Sequence, residues 1–209
     1  MITGVNMDRR FWIGASDTHM VMSDARSGEN WKRWWAIKTG LANVTSSGFH
    51  TKYTEAGDVY EKPIARAFGE NVTEDRTILL PDYSIRVNYD ADTFNEPVHK
   101  IIECKTFKDA NGRLDVRGQT YKHYYMQMQV EMFAWEQNFG ERVDGEMRIY
   151  YLKDEDYESA SRGIALPLEP DRLECRTVLY NPLWIEMFYL PKLMPLAESL
   201  KRLREELCL

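Results

Sequence analysis

The chain has 209 residues, 44% of them hydrophobic and 29% charged, with a formal net charge of −6; this is the balance of an ordinary globular protein that buries a core without staples. Cys104, Cys175 and Cys208 lie far apart with no CxxC pair, which argues against a disulfide framework, a zinc site and an iron–sulfur cluster and fits a reduced cytoplasm. The acidic balance requires a local basic patch for any nucleic-acid partner, and with no run of 18 apolar residues and no apolar N-terminal core, neither a membrane span nor a secretory signal is expected.

Residues 14–26 (GASDTHMVMSDAR) predict a first helix, with Ser16 and Asp17 as N-cap candidates. Residues 29–40 predict a second, stopped by Gly40; its Trp31, Trp34 and Trp35 follow i, i+3, i+4 and read as core. Residues 42–51, rich in Ser, Thr, Asn and Gly, predict a loop, and residues 52–69 a helix that Pro63 kinks or restarts. The texture then changes. Segments 72–80, 83–92 and 98–107 carry alternating or continuous β-formers and predict three strands of a meander. A polar loop (108–117) leads to a long helix over 118–139, on which Tyr121, Tyr124, Tyr125, Met128, Met132 and Trp135 keep a spacing of three to four. A strand over 145–152, a solvated loop over the acidic KDEDYES, a strand within 172–180 and a helix over 182–206, broken near Pro191 and Pro195, complete the chain. This order predicts an α/β fold with a central mixed sheet flanked by helices. It divides into a helical part (1–70), a sheet-and-helix part (71–152) and a C-terminal strand and helix (153–209) of one domain.

The informative chemistry is Asp90 followed thirteen residues later by Glu103-Cys104-Lys105. In a strand Glu103 and Lys105 share a face and Cys104 points to the other. With Ile101 and Ile102 before them the strand is well buried, and a buried carboxylate and ammonium cost several kcal/mol unless a ligand or partner offsets them. Asp90 ends the preceding strand, beside residues 101–105, so that Asp90 and Glu103 can share one hard cation through oxygen. An ExK triplet alone is more often a solvated strand face carrying an ordinary ion pair.

Asp90…Glu103-x-Lys105 resembles the signature of the PD-(D/E)XK nuclease superfamily. Further segments are similar to its phage-type alkaline exonucleases, of the YqaJ and lambda exonuclease kind: Arg9-Arg10 before Ile13-Gly14-Ala15-Ser16-Asp17, the helix Ala56-Gly57-Asp58-Val59-Tyr60-Glu61-Lys62-Pro63-Ile64-Ala65-Arg66, and Tyr124-Tyr125-Met126-Gln127-Met128-Gln129 after the core strands. The resemblance runs in order from about residue 9 to the C-terminal helix. It departs at Tyr89-Asp90-Ala91, where the family has Pro-Asp-Gly, and at Thr106, where a proline is usual. Asp92 competes with Asp90 as ligand; Asp90 is preferred because a small residue follows it.

The resemblance implies a restriction-endonuclease-like fold and Mg²⁺-dependent cleavage of DNA, with Mn²⁺ as a substitute. It makes Asp90, Glu103 and Glu61 metal partners, Lys105 the residue that positions or deprotonates the attacking water, and Gln127 a further active-site residue. Glu61 has the alternative of pairing with Lys62 or Arg66. Gln129 reads equally as solvated, and Tyr124 as packing at the core edge. Arg9, with Arg10 as competitor, and Ser16 are the expected pocket for a terminal 5′-phosphate. The local excess of six cations over three carboxylates in 98–127 marks Lys100, Lys108, Arg113, Arg117 and Lys122 as a DNA track. The partners implied are double-stranded DNA, a single-strand annealing protein and two further copies in a trimeric ring, in the cytoplasm of a host cell. The implied activity is 5′–3′ exonuclease digestion of linear duplex for phage-type recombination. A site- or structure-specific endonuclease and a catalytically idle DNA-binding protein are the alternatives. His19, His50, His99 and His123 lack metal-ligand spacing.

Overall fold

Backbone hydrogen bonding places the strands of the central segment on both edges of one long strand. The computed structural model describes residues 10–42, 52–94, 96, 98–109 and 112–208. In chain order the elements are β1 (Ile13–Gly14), a 3₁₀ turn (Ala15–Asp17) running into α1 (Thr18–Val21), α2 (Glu29–Lys38), α3 (Lys52–Ala65), β2 (Thr73–Leu80), β3 (Ile85–Asp92), β4 (Lys100–Lys108), α4 (Gln119–Phe139), β5 (Asp144–Leu152), α5 (Asp154–Ala160), β6 (Leu173–Val178), α6 (Pro182–Trp184), a π turn (Ile185–Tyr189) and α7 (Leu190–Glu206).

Among the described residues six strands form one mixed sheet in the order β1-β3-β4-β5-β6, with β2 also on β3. β2 runs antiparallel along the whole of one edge of β3, from Leu80–Ile85 to Thr73–Asp92. The other edge of β3 is shared. β1 lies parallel to it at Ile85 and Arg86, and β4 lies antiparallel to it at Ala91 and Asp92. Between those two pairings the edge is open. β4 continues parallel to β5, and β5 antiparallel to β6.

Alternation decides what each face buries. Ile85, Val87, Tyr89 and Ile101 join the larger core with Met128, Met132 and Trp135 of α4 and Leu193 and Leu196 of α7. Ala91, Ile102, Cys104, Tyr150 and Leu152 face the smaller core with Ala56, Tyr60 and Ile64 of α3 and Tyr157 of α5. Helices therefore cover both faces, an α/β architecture with a central mixed sheet. Tyr89 and Ala91, two residues apart, belong to opposite cores, so regular alternation in β3 breaks at Asp90. Asp75 faces this point from β2 and has a positive φ of 56°.

Three sequence expectations change. The helix over 14–26 shrinks to residues 15–21, because Ser23-Asp24-Ala25 turns the chain: Ser23 Oγ accepts from Ala25 N–H, and Lys192 binds Met22 O and Asp24. The KDEDYES segment is not a solvated loop but contains α5. Asp156 folds inward, where it accepts from Lys153 N–H (2.8 Å), Tyr60 Oη (2.8 Å) and Arg172 (2.5 Å). In the C-terminal helix the break falls ahead of Pro191 as the π turn, and α7 then carries Pro195 in its interior. The predicted loop at 42–51 lies, apart from Ala42, outside the described residues.

Candidate active site

β3 and β4 pair at Asp92–Ile101 and Ala91–Ile102 and then part. The next residues along, Asp90 and Glu103, stand at the fork. There Asp90 Oδ2 replaces the missing ladder partner by accepting the Cys104 N–H at 2.8 Å. Alternation in β4 turns Glu103 and Lys105 toward α4 and Cys104 toward α3. Lys105 Nζ donates to Glu103 Oε1 and lies 5.2 Å from the centre of the Tyr124 ring. Gln127, on α4, donates to the same Glu103 oxygen at 2.5 Å and to Glu131 Oε1 at 2.8 Å. Tyr89, just before Asp90, donates its hydroxyl to Glu131 O at 2.8 Å, which pins α4 against β3 beside the fork.

Glu61 enters from α3. Gly57, one turn earlier, faces Thr106 of β4, whose Oγ1 would lie in ordinary van der Waals contact, 3.8 Å, with a Cβ at that position. Asp90, Lys105, Thr106, Glu61 and Tyr124 line an open cleft of about 260 Å³. Lys62 and Arg66 do not neutralise Glu61; they bind Glu74 and Asp75 of β2.

The charges at the fork do not balance. Asp90, Glu103, Glu61 and Glu131 crowd around Lys105. Burial, then repulsion from Glu103 and Glu61 against attraction to Lys105, pushes the Asp90 carboxyl up to about 8. Burial and the carboxylates of Asp75 and Glu103 also raise Glu61. Burial, followed by Glu103, holds Glu131 well above the usual carboxylate range. Burial opposes charge on Lys105, but Glu103 and Asp90 outweigh it and hold the ammonium above its ordinary value. The Cys104 thiol is pushed up by burial and by Asp90, so it is an inert core group.

Among the described residues no three His, Cys, Asp or Glu side chains converge, as they stand, to enclose an ion. The donor set nevertheless fits a hard divalent cation: carboxylate oxygens only, in excess over the one cation present, with Asp90 and Glu103 side by side at the fork. Asp92 is engaged elsewhere. Its side chain is fully buried and takes Arg76 at 2.5 Å, while Arg76 lies over the rings of Phe94, Trp135 and Phe139.

A second cavity, of about 100 Å³, lies in the open edge of β3 between β1 and β4. Its lining includes Trp12, Ser16, Lys38, Arg86, Gln127 and Glu131, so it adjoins the fork through Gln127. Ser16 is exposed but is not the N-cap expected from the sequence: Gly14 caps the 3₁₀ turn, and Asp17 Oδ2 accepts from Gly14 N–H. Asp17 also binds Lys38 at 2.5 Å and Trp34 Nε1 at 2.8 Å. Arg9 lies outside the described residues; Arg10 is the first residue within them.

The basic residues expected to form one track are dispersed. Lys100 binds Glu70 at 2.6 Å and Glu146 at 2.7 Å in a structural ion cluster, so it is not free for a phosphate. Lys108 pairs with Asp154 at 3.0 Å. Arg113 donates to Asp171 O and stacks 4.1 Å from the Tyr151 ring centre. Arg117 and Lys122 are exposed near the start of α4. Gln129 is not solvated: it is buried, donating to Leu179 O and accepting from Asn181 N–H. Glu131 was not anticipated; its signal is the i, i+4 spacing from Gln127 within an apolar helix face.

Residues 6–136 match the family model described as the YqaJ-like viral recombinase domain. The fold is similar to an alkaline exonuclease (LHK-Exo) from Laribacter hongkongensis, with a TM-score of 0.62 at 18% identity over 96% of this chain and 95% of that one. The same exonuclease in complex with dAMP gives 0.63 at 17% identity, with the same coverage. A phage related exonuclease from Haemophilus somnus 129PT gives 0.63 at 14% identity over 94% of this chain and 96% of that one. No curated protein sequence matches the chain. The structural likeness identifies the PD-(D/E)XK fold. Among the described residues no helix is long and apolar enough to cross a membrane.

Proposed function

The chain belongs to the YqaJ-like viral recombinase family, and we propose that it is a metal-dependent deoxyribonuclease, an exonuclease that digests one strand of linear duplex DNA from a 5′ end. The helical, sheet and C-terminal parts would work as one nuclease domain, and the single strand produced would feed recombination with an annealing protein. One observation carries this reading: Asp90, Glu103, Lys105, Glu61 and Gln127, scattered over four elements of the chain, meet at a strand fork beside an open cleft. The relative crystallised with dAMP supports a nucleotide ligand for this fold.

Asp90 and Glu103, with Glu61 further out, would hold the cation. A bound Mg²⁺, or Mn²⁺ in its place, supplies Lewis acidity toward the phosphate and a water of lowered pKa. Lys105 stays protonated between its carboxylates, donates to a phosphate oxygen or the attacking water, and offsets negative charge on the phosphate. Gln127 holds Glu103 from the helix side. Tyr124 forms an aromatic wall beside the Lys105 ammonium. Ser16, which lines the adjoining cavity, would bind a terminal 5′-phosphate, a role the sequence resemblance also gives to Arg9, and Arg117 and Lys122 would bind the duplex backbone. A trimeric ring around the duplex would make the enzyme processive.

Linear duplex with a 5′-phosphate, the same duplex with a 5′-hydroxyl and a covalently closed circle are digested with Mg²⁺ and with EDTA. The expected result is shortening of linear DNA in Mg²⁺ only, with the phosphorylated end started about ten- to a hundredfold faster, the worth of well-formed charged hydrogen bonds. Arg9→Ala and Ser16→Ala should erase that preference more than they slow each cut. Nicking of closed circles as fast as linear DNA is shortened would replace the exonuclease by an endonuclease.

A further inference from the structure

Glu131 is the buried carboxylate for which the reaction described above has no use. It lies on α4, fully buried. Its Oε2 has no hydrogen-bond partner, and its Oε1 accepts from Gln127 Nε2 at 2.8 Å. A buried carboxyl group with one oxygen unpartnered costs stability, and neighbouring positions on this helix are filled by Met128, Val130 and Met132 at no such cost.

The geometry shows what it does. A glutamine side chain is nearly symmetric in shape, and its amide can be turned end for end. Gln127 presents its NH₂ group to two carboxylates at once, Glu103 Oε1 at 2.5 Å and Glu131 Oε1 at 2.8 Å. Both donors are thereby spent on carboxyl oxygens, and a turned amide would set its carbonyl oxygen against Glu103 Oε1 and Glu131 Oε1, the two atoms that accept from Gln127 as the site stands. We propose that Glu131 is a positioning residue: it fixes the Gln127 amide with its NH₂ toward Glu103, and so holds the Glu103 carboxylate in place for the reaction. The backbone of the same residue is fixed to β3 by the Tyr89 hydroxyl at 2.8 Å, so the clamp is referenced to the strand that carries Asp90. This role rests on the nuclease reading of the fork.

Glu131→Leu removes the acceptor, and Glu131→Gln keeps a carbonyl oxygen in its place. In single-turnover digestion of linear duplex with Mg²⁺, Glu131→Leu should cut about ten- to a hundredfold more slowly at saturating DNA, the usual cost of a misplaced group, with half-saturation by DNA unchanged. Glu131→Gln should recover most of the rate. Thermal unfolding of Glu131→Leu should be no lower than wild type. In ¹⁵N spectra of the metal-free protein, the Gln127 side-chain NH₂ pair, assigned by its loss in Gln127→Leu, should be well separated in wild type and Glu131→Gln and move toward free-amide positions in Glu131→Leu. A wild-type rate in Glu131→Leu, an equal loss in both variants, or a Gln127 amide signal indifferent to Glu131→Leu would overturn the proposal. A wild type that leaves DNA intact in Mg²⁺ would instead overturn the nuclease reading, and the catalytic role with it, while the amide signal still reports on the clamp itself.

Discussion

Two charged clusters share β4, where Lys100 of one and Glu103 of the other are roughly 10 Å apart by strand rise, and they are built to opposite rules. At the start of β4, Lys100 and Arg148 meet Glu70 and Glu146, two cations with two carboxylates. Arg148, fully buried, also donates to Ala65 O. Burial opposes ionisation of Glu70 and Glu146, but Lys100 and Arg148 outweigh it and hold both below the usual carboxylate range. Three residues along, four carboxylates share Lys105, and Asp90 is pushed up to about 8, by burial first and Glu103 next. The first cluster stabilises the native chain as it stands. The second is an unbalanced arrangement that a cation would relieve. A cluster that folding alone selected would resemble the first.

The largest effect expected from this contrast is on catalysis. Asp90→Asn and Glu103→Gln should each slow single-turnover cleavage about a thousandfold or more, a loss of several kcal/mol of charge stabilisation. The double variant should be scarcely worse than either single one, because the residues act as a unit. Wild-type cleavage by Asp90→Asn together with loss in Asp92→Asn would exchange the roles of the two aspartates.

Arg148→Leu should act the other way. It strands two carboxylates against Lys100 and should lower unfolding stability by about 3–5 kcal/mol in denaturant titration. The cleavage rate per folded molecule should stay near wild type. An unchanged denaturation midpoint would show that the balanced cluster contributes nothing.

Acid separates the clusters more gently. Because Glu70 and Glu146 ionise more readily in the folded chain than in the unfolded one, their contribution is present above the unfolded value of about 4.3 and disappears as pH falls through their lower folded values. Wild type should therefore lose stability as pH falls below the unfolded value of about 4.3, and Glu70→Gln should show a flatter acid limb over the same range. Parallel curves for the two proteins would contradict the assignment.

The smallest expected effect concerns DNA binding. Reversing Arg117 and Lys122 together should weaken duplex affinity and reduce the slope of log K against log salt by about one for each phosphate no longer neutralised. Reversing Lys100 should act on stability instead. An unchanged salt slope after reversal of Arg117 and Lys122 would move the DNA track elsewhere.

Much of this arrangement can be read from the sequence, and what cannot has a physical reason. The strand meander and the 118–139 helix follow from local apolar periodicity. The shared face of Glu103 and Lys105 follows from strand alternation alone. The break in alternation at Asp90 does not, because it depends on β1 and β4 sharing one edge of β3. The acidic segment containing Asp156 reads as solvent-facing because its partners, Tyr60 and Arg172, come from distant parts of the chain. Lys100 reads as a DNA-binding residue for the same reason: Glu70 and Glu146 are remote in sequence. Glu131 hides within an apolar run, where only its spacing from Gln127 hints at a bond.

The central claim is that the charge imbalance at the fork is held for a divalent cation. Thermal unfolding of wild type and Asp90→Asn, measured side by side as Mg²⁺ is titrated, tests it most directly. In the metal-free state Asp90→Asn should melt at or above wild type, since one of several crowded carboxylates is gone while an acceptor for Cys104 N–H remains. Mg²⁺ should then raise the wild-type melting temperature along a saturable curve, by the equivalent of about 2.7 kcal/mol at a hundred times its dissociation constant, and leave Asp90→Asn nearly unmoved. Equal responses in the two proteins, or a metal-free Asp90→Asn that melts well below wild type, would contradict it.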